Sequence, residues 1–188
     1  MRLVLATRNP GKRREFARLL PGHRVDPLPD DVVLPPETGD TFAANALGKA
    51  RAAARATGQA AIADDSGIVA DALGGAPGVR SARFAGEQAS DDENLDLLRR
   101  QAPAGSGLTY VCALAFVSPA GEAQVFEGRC QGRMADRPSG QRGFGYDPVF
   151  LPLDDDRKRT MAQLSDSEKD AISHRGHAAR RLLAWLAA

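Results

Sequence analysis

The chain has 188 residues, with 25 Lys and Arg against 24 Asp and Glu and only 5% aromatic residues. This length suits one domain with a sizeable core, so we predict a single domain over residues 1–188. A formal charge of +1 with so few aromatic residues offers neither a basic face nor a base-stacking platform, which argues against long nucleic acid as a partner. The longest apolar stretch, residues 108–117, is about half of a membrane span, so we expect no membrane partner and a cytoplasmic location.

The N-terminal residues predict a strand, a loop of phosphate size and a short helix. Residues 2–6 form the strand, TRNPGK follows, and Phe16 and Leu19 mark one face of a helix that stops at Pro21. The loop offers backbone N–H groups and the positive charge of Lys12 at a helix start, which suits anionic oxygens. The alternative is an ordinary strand-to-helix turn with a solvated lysine, since the segment lacks the Gly-rich phosphate-loop consensus.

The next segment predicts a strand, a long loop and a helix. HRVDPL suits a second strand, and the Pro-rich residues 29–40 form a loop that carries Glu37. The Ala-rich residues 41–57 have strong helix propensity. Because Asn45 and Lys49 lie four residues apart on this helix, we expect them to share a face.

Two adjacent aspartates, Asp64 and Asp65, stand where the buried strand AAIAD is predicted to end. Together with Glu37 they could converge on one hard cation, for which Mg²⁺ with retained waters is the natural choice beside a polyphosphate. Such a metal would also relieve the repulsion between neighbouring carboxylates. The alternative is that DDSG forms a capping or Asx-type turn without a ligand.

The second half of the chain predicts a further extended piece, a helix and a hairpin. GIVADAL is the extended piece, the helix begins at Asp91 or Asp92 and runs through Arg100, and two long strands flank the turn SPAGE. Cys112 and Cys130 lie in those strands, where a hairpin would bring them close. Two cysteines without metal-ligand spacing are typical of small buried thiols, so we assign them no chemistry.

A Gly-rich segment, GFGYDPVF, places two aromatic residues outside any periodic apolar pattern. A ring held on such a loop, from Phe144 or Tyr146, can stack on a flat ligand, and Asp147 can accept a hydrogen bond from a base edge. The alternative is a turn into a strand whose aromatic side chains belong to the core.

The C-terminal part predicts two helices. Ser165 and Glu168 have the spacing of a capping box, and an apolar stripe marks the last helix. Because Lys169 and His174 would point apart on one ideal helix, we expect a break near Ser173. These charged residues form either a ligand site or an ordinary charged helix face.

Strands and one-sided apolar helices mixed along the chain predict a layered α/β sheet protein rather than a bundle or a sandwich. Fold alone names no function. On residues alone, a phosphohydrolase that releases orthophosphate and a nucleotide-binding protein without catalysis both remain open.

Six short motifs span the chain from Thr7 to Arg175. In chain order they are T-x-N-x-x-K, E-T-G-x-T-F-x-x-N-A-x-x-K-A, A-D-D-S-G, G-A-P-G, F-G-Y-D-P and S-H-R. As a set in this order they are highly specific. The chain resembles the inosine triphosphate pyrophosphatase family, the noncanonical purine nucleoside triphosphate pyrophosphatases.

The resemblance implies a hydrolase that cleaves ITP, dITP and XTP between the α and β phosphates. The products are the nucleoside monophosphate and pyrophosphate, and the reaction clears deaminated purines from the nucleotide pool. The resemblance further implies Mg²⁺ as cofactor and a homodimer. The implied fold is an elongated mixed β-sheet flanked by helices, in two lobes with the active site in the groove between them.

The resemblance also implies a role for each matching residue. Glu37 and Asp65 bind Mg²⁺, and Asp65 accepts a proton from the attacking water. Asp64 supports it, and Lys49 faces the phosphates. The implied substrate-binding residues are Thr7, Arg8, Asn9, Pro10, Gly11 and Lys12 for the triphosphate, Phe144, Gly145, Tyr146 and Asp147 around the base, and Asn45, Ser66, Lys169, His174 and Arg175.

Overall fold

A six-stranded mixed sheet runs through the computed structural model, which describes residues 1–188. The strands are β1 (Arg2–Leu5), β2 (Arg24–Pro27), β3 (Ala61–Ala70), β4 (Gly107–Val117), β5 (Ala123–Met134) and β6 (Phe150–Pro152). Their order across the sheet is β2-β1-β3-β4-β5-β6. β1 is parallel to β2 and to β3, whereas β6 is antiparallel to β5. The predicted mixed α/β architecture is confirmed.

The chain has five α-helices, α1 (Pro10–Leu19), α2 (Phe42–Thr57), α3 (Asp91–Gln101), α4 (Asp166–Ile172) and α5 (His174–Leu186), of which the first three connect strands and the last two follow β6. Asn9 caps α1 and Thr41 caps α2, each accepting a backbone N–H of the first turn. α2 ends at Gly58, whose φ of 64° is the left-handed conformation that glycine adopts without strain. The predicted break falls at Ser173, where extended backbone separates α4 from α5. None of these helices has the length and apolar character needed to cross a membrane.

The chain divides into two compact units, each assembled from separate stretches. The first unit comprises Met1–Asp65, Cys112–Gly128 and Arg175–Ala188, and the second comprises Ser66–Val111 and Arg129–His174. Strands β3, β4 and β5 each contribute residues to both units. The prediction of one domain, and of a groove between two lobes, stays a prediction.

The first unit has a core on each face of its part of the sheet. Along β4, Cys112 and Leu114 pack with the apolar residues of α1 and α5, whereas Ala113 and Ala115 pack with the alanines of α2. This alternation follows from the two-residue period of a strand. The second unit has its own core, which joins Ile68 of β3 to side chains from α3, β4, β5 and β6.

The predicted strand end at the two aspartates is wrong, because β3 continues through both of them to Ala70. Gly67, directly after this pair and Ser66, lies in a crowded part of the strand. A β-carbon at Gly67 would lie 2.3 Å from the Ser81 hydroxyl oxygen and 2.6 Å from the Gly78 carbonyl oxygen. That hydroxyl oxygen accepts a 2.8 Å hydrogen bond from the Ile68 N–H. The glycine therefore permits close packing against an extended strand, and DDSG forms no Asx-type turn.

Candidate active site

Asp64 and Asp65 point to opposite faces of the sheet, because successive side chains of a strand alternate in direction. Asp64 lies on the face of Ile62, which packs with α1 and α5, and Asp65 lies on the face of Ala63, which packs with α2. Both are buried, with 0% and 5% of their surface exposed. The two carboxylates therefore contact different side chains although they are adjacent in sequence.

Asp64 is held by two cations. Lys12 Nζ lies 3.1 Å from Oδ1, and Arg175 Nε donates to Oδ2 at 3.2 Å. Arg175 also donates from Nη1 to Glu15 Oε2 at 2.9 Å. Burial alone would lower the pKa of Arg175, but the carboxylates of Glu15 and Asp64 outweigh it and raise that pKa above its ordinary value. This face thus carries a buried network of alternating charges from β3, α1 and α5.

Asp65 faces side chains of α2 and of the preceding loop. Asn45 Nδ2 donates to Asp65 Oδ2 at 2.9 Å, and Lys49 Nζ lies 3.9 Å from Oδ1. The same ammonium donates to Glu37 Oε1 at 2.5 Å and to the Asp64 carbonyl oxygen at 2.8 Å. The expected shared face of Asn45 and Lys49 is therefore confirmed, and it is the one turned to Asp65. Glu37 and Asp65 flank a single positive charge.

The pKa values of this group shift in a way that suits proton transfer. Burial raises the pKa of Asp65, and Glu37 adds to the effect, whereas Lys49 and Asn45 act against it. Burial would lower the pKa of Lys49, but the carboxylates of Asp64, Glu37 and Asp65 raise it above its ordinary value. The result is a carboxylate with increased proton affinity beside a firmly charged ammonium, as catalytic sites often have.

The predicted triphosphate loop, residues 7–12, leads directly into α1. The Asn9 side-chain oxygen accepts from the Lys12 N–H at 3.1 Å, and the Thr7 hydroxyl oxygen accepts from the Asn9 N–H at 3.2 Å. The loop therefore combines a capped helix start with a lysine directed to Asp64. Arg8 does not join this group, because its guanidinium donates to carbonyl oxygens of the loop after β2.

A second cluster, in the second unit, is centred on Asp147, which is 3% exposed. Its Oδ1 accepts from the Tyr110 hydroxyl at 3.1 Å, and its Oδ2 accepts from Lys169 Nζ at 2.6 Å and from the Phe144 N–H at 3.0 Å. Lys169 Nζ also lies 5.4 Å from the centre of the Phe144 ring. The Tyr110 ring stacks on His174 with centroids 4.6 Å apart. Four residues predicted to contact the substrate are thus linked through Asp147 and Tyr110.

Three other residues predicted to bind the substrate, Tyr146, Gly145 and Ser66, have different surroundings. Tyr146 is 6% exposed, its hydroxyl donates to the Ser81 carbonyl oxygen at 2.7 Å, and it belongs to the core of the second unit. This is the core position considered as the alternative for its segment. The Gly145 N–H donates to Asp91 Oδ2 at 2.9 Å. Ser66 is half-buried on β3, directly after Asp65.

Neither cysteine shows reactive character. Cys112 and Cys130 are both free and buried. Burial raises the pKa of the Cys112 thiol, and it raises the pKa of the Cys130 thiol to about 12. Both therefore stay protonated near neutral pH, which agrees with assigning them no chemistry.

Sequence reasoning missed two residues of these clusters. Glu15, buried against Arg175, follows Lys12 by one helical turn, and an acidic residue on the apolar face of α1 was a signal that could have identified it. Tyr110 lies in an apolar strand, where nothing in the sequence separates it from an ordinary core residue.

No group of three or more His, Cys, Asp or Glu side chains is placed to hold a metal ion. The expected convergence of Glu37, Asp64 and Asp65 on one cation is wrong in this respect, because Asp64 occupies the other face of the sheet. Glu37 and Asp65 remain together around Lys49. The prediction that these two residues bind a metal stays a prediction.

The fold and these clusters define an α/β protein with buried lysine–carboxylate groups on both faces of one strand. The chain belongs to the Ham1 family, whose model matches residues 3–185. It is 48% identical over 195 residues to a protein of Streptomyces avermitilis named dITP/XTP pyrophosphatase, covering 97% of this chain and 95% of that protein. A protein of the same name from Symbiobacterium thermophilum is 49% identical, covering 100% of this chain and 95% of its own.

Solved structures agree with this assignment. A HAM1 protein from Coxiella burnetii superposes with a TM-score of 0.85 at 38% identity, covering 100% of this chain and 98% of that one. A nucleoside-triphosphatase, dITP/XTP pyrophosphatase, from Mycobacterium abscessus has a TM-score of 0.75 at 46% identity, covering 97% and 99%. The predicted family is confirmed, and the predicted enzyme class is the one that these relatives' names state.

Proposed function

We propose that this chain hydrolyses ITP, dITP and XTP to the nucleoside monophosphate and pyrophosphate with Mg²⁺, in the nucleotide pool of the cytoplasm. The observation that carries the proposal is the placement of Glu37 and Asp65 around the Lys49 ammonium, with Lys12 near enough to act on the charge of Asp65 as well as to pair with Asp64. Relatives named dITP/XTP pyrophosphatase support the substrate class.

The residues present fit Mg²⁺. Glu37 Oε1 and Asp65 Oδ1 lie 2.5 and 3.9 Å from Lys49 Nζ, so the pair already attracts one cation. Mg²⁺ is commonly bound by one or two carboxylates and completes its shell with waters and substrate phosphates, which agrees with a site of two acidic side chains. When bound, Mg²⁺ would supply positive charge to the phosphate oxygens.

The reaction is a displacement at the α phosphorus. A water oxygen forms a bond to that phosphorus, and the bond to the α–β bridging oxygen breaks with its electron pair going to pyrophosphate. Asp65 accepts a proton from the water, while Asn45 holds its carboxylate through Oδ2. Lys12 and Lys49 stabilise the negative charge that develops on the phosphates. Asp64 holds the Lys12 ammonium in place by pairing with it.

Base selectivity follows from hydrogen-bond matching. Hypoxanthine and xanthine present a 6-keto acceptor beside an N1–H donor, whereas adenine presents a 6-amino donor and a bare N1. We assign Asp147 to accept from N1–H. Of the two candidate donors to O6, His174 shares the second unit with Asp147, whereas Arg175 already donates to Asp64 and Glu15, so we favour His174. Such mismatches can lower kcat/KM for the adenine nucleotide by a factor of ~10⁴ or more.

We also propose that the chain forms a homodimer, as the resemblance implies. Size-exclusion chromatography with light scattering measures the mass in solution. A monomeric mass at all protein concentrations would contradict this part of the proposal.

One assay tests the activity. The purified protein is given ITP, XTP, GTP or ATP, with and without Mg²⁺, and the products are identified. We expect pyrophosphate and the monophosphate from ITP and XTP, and far slower hydrolysis of ATP. Orthophosphate as the product indicates a different phosphohydrolase, and binding without cleavage indicates a nucleotide-binding protein. Equal hydrolysis of ITP and ATP would refute the base assignment.

A further inference from the structure

Arg8 lies in the predicted triphosphate loop, yet both Nη atoms of its guanidinium donate hydrogen bonds to another loop. Nη1 donates to the Leu28 carbonyl oxygen at 3.0 Å and to Asp30 Oδ1 at 3.3 Å. Nη2 donates to the carbonyl oxygens of Pro29 at 2.7 Å, Asp30 at 3.2 Å and Val32 at 3.0 Å. The two Nη atoms carry four hydrogens in total, and five acceptors surround them. In this arrangement no Nη hydrogen is left over for a phosphate.

The loop that Arg8 holds is the one that carries Glu37. We call residues 28–41, between β2 and α2, the Glu37 loop. It has no helix or strand of its own and few backbone hydrogen bonds within it, Val32 N–H to the Pro29 oxygen and Thr38 N–H to the Pro36 oxygen, so side-chain contacts contribute to its conformation. Arg8 holds its first five residues by donating to four of their backbone carbonyl oxygens.

The far end of the Glu37 loop is held by Asn45. Its Oδ1 accepts from the Gly39 N–H at 2.8 Å, and its Nδ2 donates to the Gly39 carbonyl oxygen at 3.4 Å. Between the two anchors, Leu34 packs on the core beneath α2, and two consecutive prolines restrict the backbone. A short, stiff segment thus connects the part held by Arg8 to Glu37.

We propose that Arg8 is a positioning residue, which fixes the Glu37 loop and thereby keeps the Glu37 carboxylate beside Lys49 and Asp65. Arg8 acts through the backbone of the loop and does not itself contact the triphosphate. This inference rests on the proposed function, because it takes Glu37 to be a metal ligand.

The shape of the side chain separates this role from a charge contact. The planar guanidinium of arginine donates in several directions at once, whereas lysine concentrates its charge on one nitrogen. Arg8→Lys keeps the charge but cannot reach the same set of carbonyl oxygens. Arg8→Met removes both the charge and the donors. A residue that serves a phosphate by charge would be rescued by lysine, and one that fixes the loop would not.

Hydrogen–deuterium exchange of the protein without metal or nucleotide gives the first readout. We expect faster exchange over residues 28–41 in both Arg8→Lys and Arg8→Met. Asp30→Ala is the matched control, because it removes only the 3.3 Å side-chain acceptor, whose carboxylate is fully exposed, and leaves the four carbonyl oxygens in place. We expect its exchange to match the wild type.

Steady-state kinetics give the second readout. At saturating ITP, we expect the half-saturating Mg²⁺ concentration to rise roughly 10- to 100-fold in both Arg8 variants, as it does when groups that orient metal ligands are lost. At saturating Mg²⁺, we expect kcat and the KM for ITP to stay near their wild-type values. Asp30→Ala should leave the Mg²⁺ dependence unchanged.

Two results would overturn the inference. One is unchanged exchange over residues 28–41 in both Arg8 variants. The other is a wild-type Mg²⁺ dependence in Arg8→Lys with a raised KM for ITP only in Arg8→Met, which would make Arg8 a phosphate contact. If the wild type releases no pyrophosphate, the proposed function fails instead, and the exchange rates alone still decide whether Arg8 fixes the loop.

Discussion

Asp64 and Asp65 are neighbours in the sequence, but their carboxylates contact different side chains. Asp64 pairs with Lys12 and Arg175 on one face of β3, and Asp65 contacts Asn45 and Lys49 on the other. Burying a carboxylate is costly unless cations and donors compensate it, and each aspartate has its own set. Two adjacent carboxylates are tolerated here because a strand directs them apart.

Replacing Asp65 with asparagine tests its role as the proton acceptor. We expect kcat for ITP to fall roughly 10²- to 10⁴-fold, because the amide cannot accept the water's proton. The fold should be retained, since asparagine has nearly the same shape. Asp96→Asn on α3 is a control, because that carboxylate is 57% exposed and pairs only loosely with Arg99. Near-normal turnover in Asp65→Asn would contradict the assignment.

Tyr110→Phe tests whether the tyrosine hydroxyl positions Asp147. The variant keeps the ring that stacks on His174 and Phe150 but loses the donor to Asp147 Oδ1. We expect the ratio of kcat/KM for ITP to that for ATP to fall about tenfold, the equivalent of one hydrogen bond to a charged group.

Tyr110→Leu serves as the comparison, because it removes the stacking as well. We expect it to lower the Tm by more than Tyr110→Phe does. If Tyr110→Phe keeps the wild-type selectivity ratio, the hydroxyl has no part in positioning Asp147.

Two helices, α1 and α4, present charged residues of the site from their first turns. Asn9 caps α1 next to Lys12, and Ser165 caps the seven-residue helix α4 that presents Lys169 to Asp147. A helix this short depends on its cap and on packing rather than on propensity. Cap residues near the N-termini of α1 and α4 therefore also set the positions of charged side chains.

The capping box of α4 predicts a defined pH dependence. The pKa of Glu168 is lowered to about 2, chiefly by the Ser165 backbone N–H and then by Arg159. A carboxylate with a depressed folded-state pKa stabilises the fold above its ordinary pKa of about 4.5, and this stabilisation is lost as the pH falls toward 2. The Tm of the wild type should therefore exceed that of Glu168→Gln near neutral pH, with the difference shrinking below pH ~4.5.

Thermal melts followed by circular dichroism between pH 7 and pH 2 measure this difference. Glu122→Gln, in the exposed turn between β4 and β5, controls for the loss of one carboxylate. A Tm difference that stays constant down to pH 2 would rule out the ionised Glu168 as its source.

At the scale of the molecule, the chain passes back and forth between its two units. β3, β4 and β5 each have residues in both, and the first unit is completed only by the C-terminal Arg175–Ala188. Neither unit is a continuous segment of the chain. One unit could not unfold without disrupting strands that also belong to the other. We therefore expect one cooperative unfolding transition.

Two core substitutions test this cooperativity. Leu114 lies in the core of the first unit and Leu98 in that of the second, both 0% exposed. We expect Leu114→Ala and Leu98→Ala each to lower the free energy of unfolding by about 2–5 kcal/mol. The single tryptophan, Trp185, contacts Phe116 in the first unit and reports on that unit by fluorescence.

Urea unfolding is followed by Trp185 fluorescence and by far-ultraviolet circular dichroism. Leu98→Ala should shift both curves equally, although Trp185 lies in the other unit. If the urea midpoint of the fluorescence transition were unchanged in Leu98→Ala, the two units would unfold independently.

Local features of the chain were predicted well from the sequence. The capping box of Ser165 and Glu168, the break at Ser173 and the shared face of Asn45 and Lys49 depend on spacings within a few residues. The order of six short motifs was enough to predict the family, because each motif is read from contiguous letters. The aspartates and lysines of the candidate site were identified in the same way.

Tertiary structure alone decided how these residues are used. Ser81, 14 residues further along the chain, packs against Gly67, and β3 continues through both aspartates, so Asp64 and Asp65 face opposite sides instead of ending a strand together. The Arg175–Glu15 contact joins residues 160 apart in sequence. Local sequence patterns carry no signal for such contacts, because the free energy that forms them comes from packing and charge pairing between distant parts of the folded chain.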